Sequence, residues 1–147
     1  MNSLEMSAWL EKDQSTKSIF IGVFARDELP DIKKLPACFI LNTENRSQAG
    51  EHWLAFYYNK HGIAYFFDSY GKSPAFFQLE NYLNKTSIEW IHNRKRLQGK
   101  SQYCGIYCLL FLSYCSRQQT RNFFALFSDN FDLNDKKITF NLMKHYD

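Results

Sequence analysis

The chain has 147 residues, of which 45% are hydrophobic and 18% aromatic, and its formal net charge at pH 7 is +3. This apolar composition excludes a disordered tail, and the length suits one self-sufficient core, so we expect a single domain spanning residues 1–147. Because the basic residues are scattered along the chain, the small positive charge neither demands nor excludes a polyanionic partner.

The cysteines and the apolar runs limit where the protein works. Its four cysteines, at positions 38, 104, 108 and 115, do not resemble the framework of shorter, cysteine-dense secreted chains. Residues 1–12 carry two acids and no sustained apolar core, unlike a secretory signal. The longest apolar-rich run, residues 104–112, has about half of the roughly 20 residues that cross a bilayer. We therefore expect an intracellular protein that is neither secreted nor inserted in a membrane.

The first elements along the chain are short. The helical spacing of Leu4, Ala8, Trp9 and Lys12 predicts a helix. The β-branched and aromatic runs at residues 19–24 and 38–41 predict two strands.

The clearest pattern is a hairpin. Two apolar runs, residues 53–58 and 63–67, flank the turn sequence of residues 59–62, in which Gly62 is available for a positive φ. Since both runs are apolar on both faces, we expect them to lie centrally in a sheet that is covered on both sides.

A helix and a strand are predicted next. Residues 74–83 predict a helix that Ser73 would cap and Pro74 would begin, and residues 88–91 predict a strand. The apolar side of this helix would pack into the core through Phe76, Leu79 and Leu83.

The C-terminal third is predicted to be helical. From Cys104 onward, apolar residues recur at the spacing of a buried helix, on whose packed face Cys108 and Cys115 would lie. Three polar residues separate it from a last predicted helix at residues 135–144: Asp129, Asn130 and Asp132. The sequence thus predicts an α+β fold, a central mixed or antiparallel sheet packed by helices, with Cys104 at a helix N-terminus.

His52, Asp68 and Cys104 occur in an order that suits nucleophilic catalysis. A thiol needs a base to become a thiolate, and the base needs a carboxylate or amide to hold its tautomer. Alone, Cys104 would more often be a buried core residue, but the order of the three favours catalysis.

The hairpin gives a geometric test of the pairing between His52 and Asp68. A three-residue loop would pair Asn59 with Ile63 and place Leu54 opposite Asp68. His52 and Asp68, both at even positions, would then be diagonal neighbours on one face, with Cα atoms about 7–8 Å apart. A four-residue loop would separate them unless a bulge restored the face.

The surroundings of Cys104 favour a reactive thiol. The unpaired N–H groups and the macrodipole of a helix N-terminus stabilise an anion, here the thiolate. Gly105 would let the chain turn tightly and bring backbone N–H groups close to a substrate carbonyl. Gln98 would donate its side-chain amide to the same oxyanion if the loop between it and Cys104 folds back.

Three segments carry a resemblance to a known family. They are residues 50–56 (Gly-Glu-His-Trp-Leu-Ala-Phe), residues 65–71 (Tyr-Phe-Phe-Asp-Ser-Tyr-Gly) and residues 98–108, from Gln-Gly to Cys-Gly-Ile-Tyr-Cys. In this order they resemble the histidine, acidic and cysteine motifs of the adenovirus protease family, the adenain-like cysteine endopeptidases related to SUMO-deconjugating enzymes. Weaker similarity covers residues 20–42 and 129–130.

The resemblance implies an adenain-like, papain-like cysteine protease fold and a role for each matching residue. Cys104 would be the nucleophile, His52 the general base, Asp68 the orienting acid and Gln98 an oxyanion donor, and no metal is implied. The substrate would be bound by Gly50, Glu51, Trp53 and Gly105.

The resemblance also implies a biological role. Members of the family cleave precursor capsid and core proteins during virion maturation, in viruses or virus-like transposons, typically after small residues such as Gly. We therefore expect viral structural precursor proteins as substrates, a monomer that requires no cofactor, and a location in the host nucleus or the virion.

Regulation departs from the family's pattern. The adenoviral enzymes are activated by DNA and by a viral peptide disulfide-linked to a cysteine between the acid and the nucleophile, but residues 69–103 contain no cysteine. Covalent activation therefore does not carry over, while DNA held by Arg94, Lys95 and Arg96, or a non-covalent peptide, stays open. The adenoviral enzymes also have Glu where Asp68 stands, although Asp is common in the SUMO-deconjugating relatives.

Other functions fit parts of the sequence. An isopeptidase that removes a ubiquitin-like modifier such as SUMO, or an acyltransferase, would use the same thiol chemistry. A metal site would use Cys104, Cys108 and Cys115, but their spacing is typical of a packed helix face and lacks a Cys-x-x-Cys pair. A non-catalytic nucleic-acid-binding module would stack bases on Trp53 and nearby tyrosines, which leaves the Cys and His spacing unexplained.

Overall fold

Five strands form one mixed sheet in the computed structural model, which describes residues 1–44 and 52–146, the last two without their side chains. In chain order, which is also their order across the sheet, the strands are β1 (Phe20–Phe24), β2 (Ala37–Asn42), β3 (Trp53–Tyr58), β4 (Ile63–Phe67) and β5 (Glu89–His92). β3 pairs with β2 and β4 in antiparallel fashion, whereas the outer pairs, β1 with β2 and β4 with β5, are parallel. The predicted mixed sheet is confirmed.

The hairpin of β3 and β4 has the predicted register. The Asn59 N–H donates to the Ile63 carbonyl at 2.9 Å, and Ala55 pairs with Phe67. Gly62 takes a φ of 84° in the loop, a conformation that glycine adopts without steric cost. The three-residue loop therefore forms as the sequence predicts.

Side chains of β3 alternate between two apolar layers, because successive residues of a strand point to opposite faces. The larger layer, which includes helical residues, contains Trp53, Ala55 and Tyr57. The smaller layer, on the other face of the sheet, contains Leu54, Phe56 and Tyr58. Both faces are covered, which confirms the central position predicted for the hairpin strands.

Helices complete the α+β architecture in the described part of the chain. They are α1 (Ser3–Lys12), α2 (Glu80–Thr86), α3 (Cys104–Ser116), α4 (Thr120–Ala125) and α5 (Phe131–Tyr146). α3 packs on the sheet, where the Phe111 ring stacks on Phe67 with centroids 4.6 Å apart. Cys108 and Cys115 are buried in this layer, as predicted. Among residues 1–44 and 52–146, no helix combines the length and apolarity needed to span a membrane.

The helix predicted at residues 74–83 is wrong as one element. A 3₁₀ turn at Pro74–Phe77 ends at Gln78, whose φ of 59° is left-handed, and α2 begins two residues later. This break buries Leu79 and Leu83 but turns Phe76 outward, so that Phe76 is 64% exposed and is not the core residue predicted. Ser73 does precede the turn, yet its side chain makes no capping hydrogen bond.

The C-terminal helices also differ from the prediction. α5 begins at Phe131, because Asn130 caps it: its Oδ1 accepts the Leu133 N–H at 3.0 Å. Asp132, predicted to lie between helices, therefore lies in the first turn of α5, where an acid suits the helix dipole. α4 was not predicted, since its six residues are too few to show a helical period.

Candidate active site

His52 and Asp68 meet at one edge of the hairpin. His52 directly precedes β3 and Asp68 directly follows β4, on the same face of the sheet. His52 Nε2 lies 2.6 Å from Asp68 Oδ1, and the Asp68 side chain is fully buried while that of His52 is 16% exposed. The register of the hairpin thus brings together the two side chains that the sequence pairs.

A tight turn fixes the Asp68 carboxylate. The Tyr70 N–H donates to Oδ1 at 3.2 Å and the Lys72 N–H donates to Oδ2 at 3.0 Å. The Gly71 N–H donates to the Asp68 carbonyl at 2.9 Å. Each carboxylate oxygen therefore has a backbone donor, so that the plane of the group is set toward His52.

Gly71 is required in this turn for two reasons. Its φ is 75°, in the left-handed region that other residues rarely adopt. A Cβ at this position would also lie 2.7 Å from the Arg94 carbonyl oxygen. The close approach of the two backbones anchors the turn against the chain that follows β5.

Asn93 holds the backbone of Asp68 and was not predicted from the sequence. Its Nδ2 donates to the Asp68 carbonyl at 2.7 Å, and its Oδ1 accepts the Asp68 N–H at 3.1 Å. Asn93 follows β5 just as Asp68 follows β4, and these strands are parallel, so both lie at the same edge of the sheet. A polar residue directly after each of two neighbouring parallel strands is the signal that would have found it.

Cys104 is the first residue of α3, as predicted, and is 5% exposed. Its side chain lies within hydrogen-bonding reach of the His52 ring. Burial lowers the pKa of His52, but hydrogen bonds to Asp68 and to Cys104 outweigh burial and raise that pKa to about 9. Because Nε2 is engaged by Asp68, Nδ1 is the ring nitrogen left for the thiol. The raised pKa favours a protonated imidazole beside the side chain that begins α3.

Two aromatic rings pack around His52, and neither was predicted from the sequence. The ring centroid of Tyr70 lies 4.9 Å from that of His52, and the centroid of Phe77 lies 6.2 Å away with nearly parallel planes. Phe77 comes from the 3₁₀ turn that replaces the predicted helix. Together the rings shield the imidazole from water on these sides.

Gln98 is fully buried and faces the loop that leads to Cys104. Its Nε2 donates to the Ser101 carbonyl at 2.8 Å and lies 3.1 Å from Ser101 Oγ. Its Oε1 accepts a hydrogen bond from Ser69 Oγ at 2.5 Å. The loop therefore folds back onto the Gln98 amide, while the role of Gln98 as an oxyanion donor stays a prediction.

The residues predicted to bind substrate fall into two groups. Gly50 and Glu51 lie outside the described residues. Trp53 is 9% exposed, and its Cδ1 would lie 3.6 Å from a Cβ on Gly105. Gly105 does not make the tight turn predicted: it lies within the first turn of α3 without a positive φ, and its lack of a side chain admits the Met6 sulfur. A substrate role for these residues stays a prediction.

The basic run after β5 is exposed, and one of its residues belongs to the site. The Arg96 guanidinium carbon lies 5.0 Å from the Tyr70 ring and 5.2 Å from the Phe131 ring, and its Nε donates to the Gln98 carbonyl at 2.6 Å. Arg96 therefore supports the wall of the site, whereas Arg94 and Lys95 face outward, and Lys95 Nζ lies 3.3 Å from Asp129 Oδ1. The DNA contact at these residues stays a prediction. Within the described ranges, no three His, Cys, Asp or Glu side chains are grouped to hold a metal ion.

Comparison with known sequences identifies relatives. The model of the adenovirus endoprotease family matches residues 20–130. The chain is 33% identical over 108 residues to the protease of human adenovirus B serotype 3, covering 63% of this chain and 48% of that protein. It is 28% identical over 131 residues to the protease of bovine adenovirus 2, covering 76% of this chain and 63% of that protein. The chain thus spans about half the length of the human adenovirus proteases it matches.

Solved structures share the fold. A protease of ASFV superposes with a TM-score of 0.59 at 13% sequence identity, covering 88% of this chain and 64% of that one. The central domain of an uncharacterized protein from Legionella pneumophila gives a TM-score of 0.55 at 15% identity, covering 98% and 94% of the two chains. At such low identity the likeness concerns the α+β fold alone.

Proposed function

The chain belongs to the adenovirus endoprotease family, and from this premise we propose that it is a cysteine endopeptidase with Cys104 as its nucleophile. One observation carries the proposal: buried Asp68 holds Nε2 of His52 at 2.6 Å, while the same ring hydrogen-bonds to the thiol that begins α3. A nucleophile, a base and a group that orients the base are the parts that thiol catalysis needs.

The reaction would proceed through an acyl-enzyme. His52 takes the thiol proton, and the sulfur of Cys104 attacks the substrate carbonyl carbon, so that a C–S bond forms and an electron pair moves to the oxygen. Backbone N–H groups at the start of α3 and the Gln98 amide would stabilise this oxyanion. The imidazolium, whose pKa is raised to about 9, keeps its proton at neutral pH and delivers it to the departing amine. Water, with His52 again as base, then hydrolyses the thioester.

The proposed substrates are structural precursor proteins of a virus or virus-like element, cut after small residues such as Gly in the host nucleus or the virion. The matches to human adenovirus proteases, over about half their length, support this class. The chemistry requires no metal or cofactor, since thiol and imidazole supply both nucleophile and acid. DNA bound at exposed Arg94 and Lys95, or a non-covalent peptide, is the proposed activator.

A mixture of peptides with varied sequences tests the proposed function. We expect the wild-type protein to produce new termini, enriched after small residues, and Cys104→Ala to produce none when the products are identified by mass spectrometry. Cys115→Ala is the matched control, because it removes a thiol from the same helix outside the site. Cleavage by Cys104→Ala at the wild-type rate would rule out the proposed nucleophile.

A further inference from the structure

Ser69 directly follows Asp68 in the chain and forms hydrogen bonds with the segment that carries Gln98, the predicted oxyanion donor. Its carbonyl accepts the Leu97 N–H at 2.8 Å and the Gln98 N–H at 3.2 Å. Its hydroxyl donates to Gln98 Oε1 at 2.5 Å. Ser69 and Gln98 are both fully buried, so water does not substitute for either partner.

These contacts determine whether the nitrogen or the oxygen of the Gln98 amide faces the loop that leads to Cys104. The Ser101 carbonyl can only accept, so the amide nitrogen must face it, at 2.8 Å. The amide oxygen then faces Ser69, whose hydroxyl satisfies it. If the amide were flipped, its oxygen would face the Ser101 carbonyl oxygen, and both atoms are acceptors. The flip would also remove the acceptor of the Ser69 hydroxyl.

We infer that Ser69 is a positioning residue for catalysis: its hydroxyl fixes the Gln98 amide with its nitrogen toward the loop that leads to Cys104, the side on which the oxyanion of the acyl-transfer step would form. This inference rests on the proposed function and adds to it a residue that acts through Gln98. Two consecutive residues thus position two parts of the proposed site: Asp68 holds His52, the base, and Ser69 holds Gln98, the oxyanion donor.

Two reagents that act on the same thiol separate this role from a merely structural one. p-Nitrophenyl acetate acylates Cys104 through a tetrahedral oxyanion: a C–S bond forms, the C–O bond breaks, and p-nitrophenolate leaves. Iodoacetamide alkylates the sulfur by displacing iodide and forms no oxyanion. Losing an oxyanion donor lowers the rate of an acyl transfer by about 10²–10³-fold, whereas alkylation does not depend on it.

The experiment measures both rates in the wild type and in Ser69→Ala, with Ser116→Ala as the matched control. Ser116 donates its hydroxyl to the Ser113 carbonyl at 2.8 Å within α3, so it also loses one hydrogen bond. We expect Ser69→Ala to lower acylation about tenfold and leave alkylation unchanged, a loss smaller than that of removing the donor itself. We expect Ser116→Ala to change neither rate.

A double mutant shows whether Ser69 acts through Gln98. In a Gln98→Ala background the acceptor of the Ser69 hydroxyl is absent, so adding Ser69→Ala should lower acylation no further. Unchanged acylation in Ser69→Ala, an equal fall of both rates, or an additive loss in the double mutant would each overturn the inference. If the wild-type thiol is alkylated but not acylated, the proposed function itself fails, which is a different result from equal acylation of wild type and Ser69→Ala.

Discussion

Asp68 Oδ1 accepts hydrogen bonds from His52 Nε2 and from the Tyr70 N–H at once, at 2.6 and 3.2 Å. The second carboxylate oxygen accepts the Lys72 N–H at 3.0 Å. All three partners are therefore donors. A carboxylate, which only accepts, can form hydrogen bonds with all three at once.

Asp68→Asn should therefore abolish most activity although it preserves shape. Turning the amide nitrogen toward Lys72 would set two donors against each other, and turning it toward His52 would impose the wrong tautomer on the ring. We expect cleavage to fall by at least about 10²-fold and stability by about 1–3 kcal/mol, the cost of an unsatisfied buried donor. Steady-state cleavage rates and urea unfolding measure the two effects. Wild-type activity in Asp68→Asn would remove Asp68 from the mechanism.

The raised pKa of His52 predicts how stability depends on pH. A histidine that is protonated more readily in the folded state than in the unfolded state stabilises the fold fully below its unfolded pKa of 6.5. That contribution is lost as the pH rises through the folded pKa of about 9. The stability of the wild type relative to His52→Ala should thus decline between these two values, which urea unfolding at a series of pH values measures. A difference that is flat, or that grows with pH, would contradict the assignment.

The four thiols should differ in reactivity in the native protein. Burial raises the pKa of Cys115 to about 12 and raises those of Cys38 and Cys108 as well. At neutral pH the thiolate of Cys115 is then rarer by roughly 10³-fold than that of a free thiol with a pKa of about 8.5. We expect iodoacetamide to label Cys104 selectively, and His52→Ala to slow that labelling, as mapped by mass spectrometry. Labelling in urea is the control, since all four thiols should then react alike.

Much of this site follows from local sequence rules. Gly62 and the loop length fix the hairpin register, and the shared parity of positions 52 and 68 then places His52 and Asp68 on one face of the sheet. The apolar period after Cys104 places the thiol at a helix N-terminus, because that period begins there. These inferences succeed because each depends on residues close together in the chain.

The supporting contacts do not follow from such rules. Asn93 reaches Asp68 because β5 lies parallel to β4. The polar residue after each strand therefore indicates this contact only once the pairing of the two strands is known. The hydrogen bond from Ser69 to Gln98 joins residues on different loops. Gln78 breaks the predicted helix although glutamine is a good helix former, since burying Leu79 and Leu83 outweighs local propensity.

The break at Gln78 predicts that two apolar residues contribute differently to stability, although the sequence places both on the core-facing side of one helix. Leu83 is fully buried, so Leu83→Ala should lower the free energy of unfolding by about 2–5 kcal/mol. Phe76 is 64% exposed, so Phe76→Ala should change it by less than about 0.5 kcal/mol. Chemical denaturation of the two variants compares them directly. A large loss in Phe76→Ala would mean that the segment forms the continuous helix after all.

The last prediction compares two glycines that share a positive φ but have different surroundings. Gly62 and Gly71 have φ values of 84° and 75°, so an alanine at either position is strained by about 1 kcal/mol. The three atoms nearest to a Cβ on Gly62 would all belong to side chains, at 3.7 Å or more, whereas a Cβ on Gly71 would lie 2.7 Å from the Arg94 carbonyl oxygen.

Gly71→Ala should therefore cost clearly more stability than Gly62→Ala, by about 2 kcal/mol beyond the shared strain, since backbone rather than a flexible side chain must move. The displaced turn carries the N–H groups that hold Asp68, so Gly71→Ala should also slow alkylation of Cys104, which Gly62→Ala should leave unchanged. Urea unfolding and iodoacetamide labelling of both variants provide the measurement. Equal losses of stability would show that backbone strain alone explains Gly71, and normal labelling in a destabilised Gly71→Ala would separate the turn from the reactivity of the thiol.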